Sequence, residues 1–192
     1  MSLEHAILGF LQYRPFSGYD LKKLFDTSVR HFWPADQSQI YRTLTRLAER
    51  GWAEKEVVSQ ESRPDRKEFR ITQMGREELH RWLSSPVPPE EPRSAGLIQV
   101  FFAGQLEDRE VLAIFEGVAA SLRRLLETYR MIPGQVQHYH DMVDSRRESF
   151  FWMLTLECGI AGARAQLEWV ESVIRRLQAG DYRNLPEVTV EE

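Results

Sequence analysis

The stretch DQSQIYRTLT, residues Asp36 to Thr45, places amide, hydroxyl and guanidinium groups at Gln37, Ser38, Tyr41, Arg42 and Thr45. On a helix, Gln37, Tyr41 and Thr45 recur every four residues with Ser38 and Arg42 beside them, while Ile40, Leu44, Leu47 and Ala48 mark the opposite, apolar side. Amides and guanidinium groups read base edges in the DNA major groove, and hydroxyls pair with bases or phosphates. A face serving only solubility is commonly filled with Glu and Lys, and this one is poor in both. Further along, Arg63, Arg66 and Lys67 gather in a short charged loop, where cations suit phosphates.

Other chemistry is poorly supplied. There is no glycine-rich phosphate loop, nucleophile elbow or His-Glu-x-x-His pattern. His138 and His140 of HYHD stand two apart, on different sides of a helix, whereas a metal needs three or four convergent ligands. The single cysteine, Cys158, excludes an internal disulfide and a cysteine-rich zinc site. It lies beside an apolar periodicity and is expected to be a buried, inert thiol. Glu77 and Glu78 read as solvated charges. The expectation is therefore no enzyme, no metal and no cofactor. A net charge of −4 carries no global signature of nucleic-acid binding, so such a function must rest on a local surface. The first residues lack a basic region and a small-residue cleavage site, and no apolar run reaches the roughly 18 residues that span a bilayer. A cytoplasmic chain without membrane contact is expected.

The elements that must position these groups can be read from periodicity. Leu3, Ile7, Leu8, Phe10 and Leu11 predict a first helix, broken by Pro15 and Gly18. Ser17 or Asp20 opens a second helix that buries Leu21, Leu24 and Phe25 and ends at HFWP. Asp36 and Gln39 form a capping-box pattern at the start of the third helix, which runs to about Arg50 with Gly51 as its stop. Strands follow at Trp52 to Val58, with Trp52, Ala53 and Val57 facing inward, and at Lys67 to Thr72, with Phe69 and Ile71 inward. Thr72 then caps a helix that buries Leu79, Trp82 and Leu83. Helix, helix, helix, strand, loop, strand, helix is the order of a winged helix-turn-helix, in which the third helix enters the major groove and the loop touches the flanking backbone.

The segment from Ala6 to Leu83 also resembles the PadR family of transcriptional regulators, through AILGFL, SGYDLKKLF, FWPADQSQIYRTLTRLAERGW and RKEFRITQMGREELHRWL. The resemblance implies that Gln39, Tyr41 and Arg42 lie in the DNA-facing stretch, that RPDRK is the wing, and that the long helical remainder is a dimerisation domain. This chain departs from the common pattern in carrying the acids Glu61, Asp65 and Glu68 in and around the wing, which lowers its local positive potential.

Prolines and acids in SSPVPPEEPRSAG, Ser84 to Gly96, separate a winged-helix DNA-binding domain at 1–84 from a helical dimerisation domain at 97–180, with a linker at 85–96 and a tail at 181–192. The fold class is mainly α: a winged helix-turn-helix with a small hairpin wing, plus long helices. Val111, Phe115, Val118, Leu122, Leu125 and Tyr129 form one heptad-like seam. Met153, Leu156, Ile160, Ala163, Leu167, Val170, Ile174 and Leu177 form another, on a helix from about Ser149 to Gln178 that spans about 45 Å. Gly159, Gly162 and Ala163 allow another backbone to approach. An intramolecular hairpin would explain the seams, but the shortage of other elements to cover both favours a two-fold homodimer through Leu156, Ile160, Ala163, Leu167, Val170 and Ile174.

Phe101, Phe102, Phe150, Phe151 and Trp152 cluster in sequence, and Trp33 and Trp82 can join them. Such rings either bury as plain core or line a pocket for a small aromatic effector; the family includes regulators released by phenolic acids. The resulting reading is a dimeric regulator, a repressor that occupies a palindromic operator in double-stranded DNA. The alternatives are a winged helix used only for protein association and a small-molecule-binding protein.

Overall fold

A computed structural model describes residues 2–58, 66–88, 93–136 and 145–181. The chain divides into two compact units, Met1–Pro89 with Gln135–Ser149 and Glu90–Gly134 with Phe150–Glu192.

The first unit runs α1 (Ser2–Leu11), β1 (Phe16–Ser17), α2 (Gly18–Thr27), α3 (Gln37–Glu49), β2 (Ala53–Val58), β3 (Arg66–Ile71) and α4 (Gln73–Leu83). Its sheet has the order β1-β3-β2 with both pairings antiparallel. Ile7, Leu8 and Leu11 meet Leu21, Phe25, Ile40, Leu44 and Leu47 in one apolar core, closed on the sheet side by Phe16, Ala53, Phe69 and Ile71.

Local chemistry sets the helix ends. Ser17 caps α2 through a reciprocal box with Asp20, and Asp36 and Gln39 form the same box at α3. α3 ends in a Schellman motif: Gly51 has φ +70°, its N–H donates to the Ala48 carbonyl at 3.0 Å, and the Trp52 N–H donates to the Leu47 carbonyl at 2.9 Å. Thr72 caps α4 by accepting the Gly75 N–H, and its hydroxyl donates to the Gly51 carbonyl at 2.6 Å. That bond ties the end of the third helix to the start of the fourth.

Several expectations are corrected. Phe16 and Ser17 lie in a short strand, because pairing with Phe69 and Glu68 satisfies a backbone that has no strand signal of its own. β2 starts at Ala53, since Trp52 is held in the Schellman turn. Val57 is exposed near the far end of β2, past the reach of the core, and Leu83 is exposed in the last turn of α4. Glu78 pairs with buried His5 rather than standing in water.

The second unit contains α5 (Ala95–Phe102), a 3-10 turn (Ala103–Gln105) and most of α6 (Asp108–Val136) and of α7 (Arg146–Gln178). Phe115 meets Trp169 and Tyr129 meets Gly159, so α6 and α7 run antiparallel. The packed face of α6 carries Val111, Phe115, Ala119, Leu122 and Tyr129; Val118 and Leu125 are more than a third exposed, because Ala119 and Leu126 turn inward instead. On α7, Leu156, Ala163 and Val170 are buried, Ile160, Leu167 and Ile174 pack half-buried against them, and Met153 stays exposed. These side chains belong to one chain's own core. The seam expected to face a second subunit is closed largely by α6 of the same chain. Gly159 faces the Tyr129 ring, which a Cβ placed on it would meet at 3.4 Å, nothing lies within 4 Å of a Cβ placed on Gly162, and Cys158 is exposed.

Candidate nucleic-acid interface

The position of α3 is determined by both its faces. Ile40, Thr43, Leu44 and Leu47 are buried, and Gln37, Ser38, Gln39, Tyr41, Arg42 and Thr45 are exposed. Buried Glu4 of α1 takes Arg50 at 3.1 Å and Arg46 at 3.6 Å, which fixes the roll of α3 against the core. Next to it, buried His5 pairs through Nε2 with Glu78 at 2.9 Å and stacks on Trp82 with ring centroids 4.6 Å apart. Burial pulls the Glu78 carboxyl upward, but the hydrogen bonds and charges of His5 and Arg81 outweigh it and hold the group below its ordinary value.

The outward face is not uniform. Gln39 accepts the Asp36 N–H through Oε1 at 2.9 Å, so its carbonyl belongs to the cap. Arg42 rests against its own helix, Nε donating to the Ser38 carbonyl at 3.3 Å, and the Thr45 hydroxyl donates to the Tyr41 carbonyl. The Tyr41 ring lies on the backbone of Gly18, where an added Cβ would come within 2.6 Å. A side chain at residue 18 would displace the ring, so the glycine in SGYD sets the packing of the second helix on the third. Tyr19 beside it is exposed, with Lys23 Nζ 4.5 Å from its ring centroid.

The cations of the wing differ from one another. Lys67 is exposed. Arg66 donates a hydrogen bond to Asp20 of α2 and is paired by charge with Glu68, whose Oε1 lies 3.0 Å from its Nε without hydrogen-bond alignment. Arg63 lies outside the described residues, as do Glu61 and Asp65 of the wing loop and His138 and His140. Among the described residues no cluster of His, Cys, Asp and Glu could hold a metal ion, and no helix is long and apolar enough to cross a membrane.

The expected aromatic cluster divides. Trp33 packs half-buried on the first unit's core, and Trp82 is stacked on His5. In the second unit Phe101 and Phe102 touch each other and are exposed, as is Phe151, which meets Phe150; Trp152 is half-buried. A groove of about 300 Å³ does lie in the second unit, lined by Leu97, Val100, Phe115, Val118, Trp169 and other residues, but by none of the expected aromatics.

Glu4 and His5 escape a reading of the sequence. Glu4 falls three, four and seven residues before Ile7, Leu8 and Leu11, and a carboxylate on that buried face is a legible sign of a cationic partner. Nothing local names Arg46 and Arg50 as the partners.

A three-helix core, an outward polar third helix and a hairpin wing define a winged-helix transcriptional regulator. Comparison with known proteins agrees along nearly the whole chain. Residues 7–81 match the Transcriptional regulator PadR-like family, and residues 92–178 match Virulence activator alpha C-term. The probable transcriptional regulator Rv1176c of Mycobacterium tuberculosis is 31% identical over 188 residues, 93% of this chain and 98% of that one. The crystal structure of Bacillus subtilis PadR in complex with operator DNA is similar with a TM-score of 0.78 at 25% identity, covering 92% of this chain and 99% of that chain. The same protein in complex with p-coumaric acid gives 0.74 at 25% identity, covering 93% and 99%. The chain belongs to the PadR-like family of transcriptional regulators.

Proposed function

We propose that this protein is a homodimeric repressor that occupies a palindromic operator in duplex DNA, with α3 in the major groove and the wing on flanking phosphates. The observation that carries this reading is the exposed Gln37, Ser38, Tyr41 and Arg42 surface on a helix whose orientation is anchored from inside by Glu4. Gln37 and Arg42 reach bases; Ser38, Tyr41 and Thr45 reach bases or backbone; Lys67 and Arg63 grip phosphates. The capping role of Gln39 occupies Oε1 with the Asp36 N–H and leaves its amide nitrogen for a DNA contact. Repression is supported by similarity to the negative transcriptional regulator PadR of Bacillus subtilis, 25% identical over 173 residues, 90% of this chain and 95% of that one.

The dimer rests on surface rather than on the long seam. α5 is eight residues of almost wholly apolar sequence and buries none of them; Ile98 is 63% and Phe101 82% exposed. A helix this apolar, beside an open apolar groove on the same unit, calls for a second copy as its cover. A small aromatic effector is supported by the relative's complex with p-coumaric acid. Phe101, Phe102, Phe151 and Trp152 are the rings available to it, since Trp33 and Trp82 are taken up in the first unit.

Selection of bound sequences from random duplex DNA, followed by a salt titration, tests the reading. An inverted repeat bound with a steep salt slope is expected. Salt-insensitive or absent DNA binding would leave the polar face of α3 to a protein partner.

A further inference from the structure

We propose that Arg66 is a positioning residue: held between Asp20 and Glu68, it latches the root of the wing to the start of α2 instead of contacting a phosphate. The proposal rests on the DNA-binding reading above for its functional consequence. Its structural half stands on contacts within the first unit alone.

Arg66 opens β3, directly after the wing loop. Its Nη2 reaches Asp20 Oδ2, and Glu68 Oε1 lies 3.0 Å from its Nε. The same Asp20 oxygen accepts the Ser17 hydroxyl at 2.6 Å, while Ser17 Oγ accepts the Asp20 N–H at 3.2 Å. Ser17 in turn faces Glu68 across the β1–β3 ladder. One carboxylate therefore caps α2, anchors the edge strand and holds the first residue after the wing.

Handing Arg66 to a DNA phosphate would strip both carboxylates of their cation and turn them towards a polyanion. That exchange forms one ion pair and creates two repulsions. Kept in place, Arg66 neutralises Asp20 and Glu68 and sets the direction in which neighbouring Lys67, which is exposed, leaves the sheet.

The test measures affinity for a random-sequence duplex pool at several salt concentrations for wild type, Arg66→Ala, Lys67→Ala, Asp20→Asn and the Asp20→Asn/Arg66→Ala double variant. Lys67→Ala should flatten the salt slope by about one unit for each phosphate that the lysine neutralises. Arg66→Ala should weaken binding about two- to fivefold and leave the slope unchanged. Asp20→Asn is the decisive variant, because it removes a negative charge near DNA. Simple electrostatics makes it bind more tightly, whereas the latch makes it bind about two- to fivefold more weakly, with the double variant no worse than either single one.

Amide hydrogen exchange of the free proteins supplies a readout that does not need DNA. Asp20→Asn and Arg66→Ala should both speed exchange in β1 and β3 while the amides of α1 and α3 keep their protection. Tighter binding by Asp20→Asn, or a flattening of the slope by Arg66→Ala equal to that of Lys67→Ala, overturns the proposal. So does unchanged exchange in β1 and β3. If the wild-type protein shows no salt-dependent DNA binding, the DNA reading fails, and the exchange result alone decides the latch.

Discussion

Gln37 and Arg42 carry the sharpest expectation at the residue scale. Each presents a bidentate-capable group from the first turns of α3, so Gln37→Ala or Arg42→Ala should cost about 1–3 kcal/mol on the selected operator and relax its sequence preference. Affinities for operator and scrambled duplex check this; full discrimination retained by Arg42→Ala would remove that residue from base readout. Glu78 makes a second case. Its carboxyl is held below the ordinary value in the fold by His5 and Arg81 against the pull of burial, so the ionised form is favoured more in the folded chain than in the unfolded one. The contribution is complete above the ordinary glutamate range and fades as pH falls through the depressed value. Urea midpoints should therefore show Glu78→Gln destabilised at neutral pH, with the gap from wild type closing on acidification. A gap that stayed constant would mean that only shape, not charge, is at stake.

At the scale of elements, the joints between α3, β2 and α4 are backbone contacts, and they make two glycines opposite in character. A Cβ on Gly75 would sit 2.0 Å from the Trp52 carbonyl oxygen and 2.9 Å from Ile71 Cγ1, so Gly75→Ala must push the start of α4 off the turn that ends α3. The expected cost is about 1–3 kcal/mol. Gly9, inside α1, has nothing within 4 Å of its Cβ position, so Gly9→Ala should stabilise by up to about 1 kcal/mol through helix propensity. Thermal melts of the pair test the contrast in sign. The capping box of α3 was readable because it is a pattern over four residues, Asp36 with Gln39, whereas at α2 the sequence offered Ser17 or Asp20 as the start and the structure joins the two in one box. The two-residue strand β1 was not readable, because it exists only through its pairing with β3.

For the whole molecule, the distribution of apolar surface separates residues that fold the chain from residues that the proposed dimer would use. Val170 is fully buried inside the hairpin of α6 and α7, so Val170→Asp should unfold the second unit, visible as reduced helicity. Phe101 is 82% exposed, so Phe101→Asp should leave the helices intact while weakening association. A large side chain buried at an interface is worth about 1.5–3 kcal/mol, and two-fold symmetry counts it twice, so the dimer dissociation constant should rise about 100-fold or more. Sedimentation at several concentrations, with circular dichroism beside it, distinguishes the two outcomes. An unchanged dimer in Phe101→Asp would place the interface away from α5, and a monomeric wild type would reject the architecture.

The amino-acid sequence by itself determined the four helices and the two hairpin strands of the first unit, the caps of α3 and α4, the apolar face of α3 and hence the exposure of Gln37, Ser38, Tyr41, Arg42 and Thr45, because each follows from periodicity or from groups a few residues apart. The family resemblance was legible for the same reason, resting on contiguous stretches. Only the tertiary structure decided which charges are spent internally: Arg66 against Asp20 is separated by 46 residues, Glu4 against Arg50 by 46, and His5 against Glu78 by 73. It also decided that Leu156, Ala163 and Val170 are covered by α6 of their own chain while α5 is left bare. A heptad-like spacing states that a helix has an apolar stripe and says nothing of which helix will cover it, because burial against one's own hairpin and against a second chain satisfies the same physics.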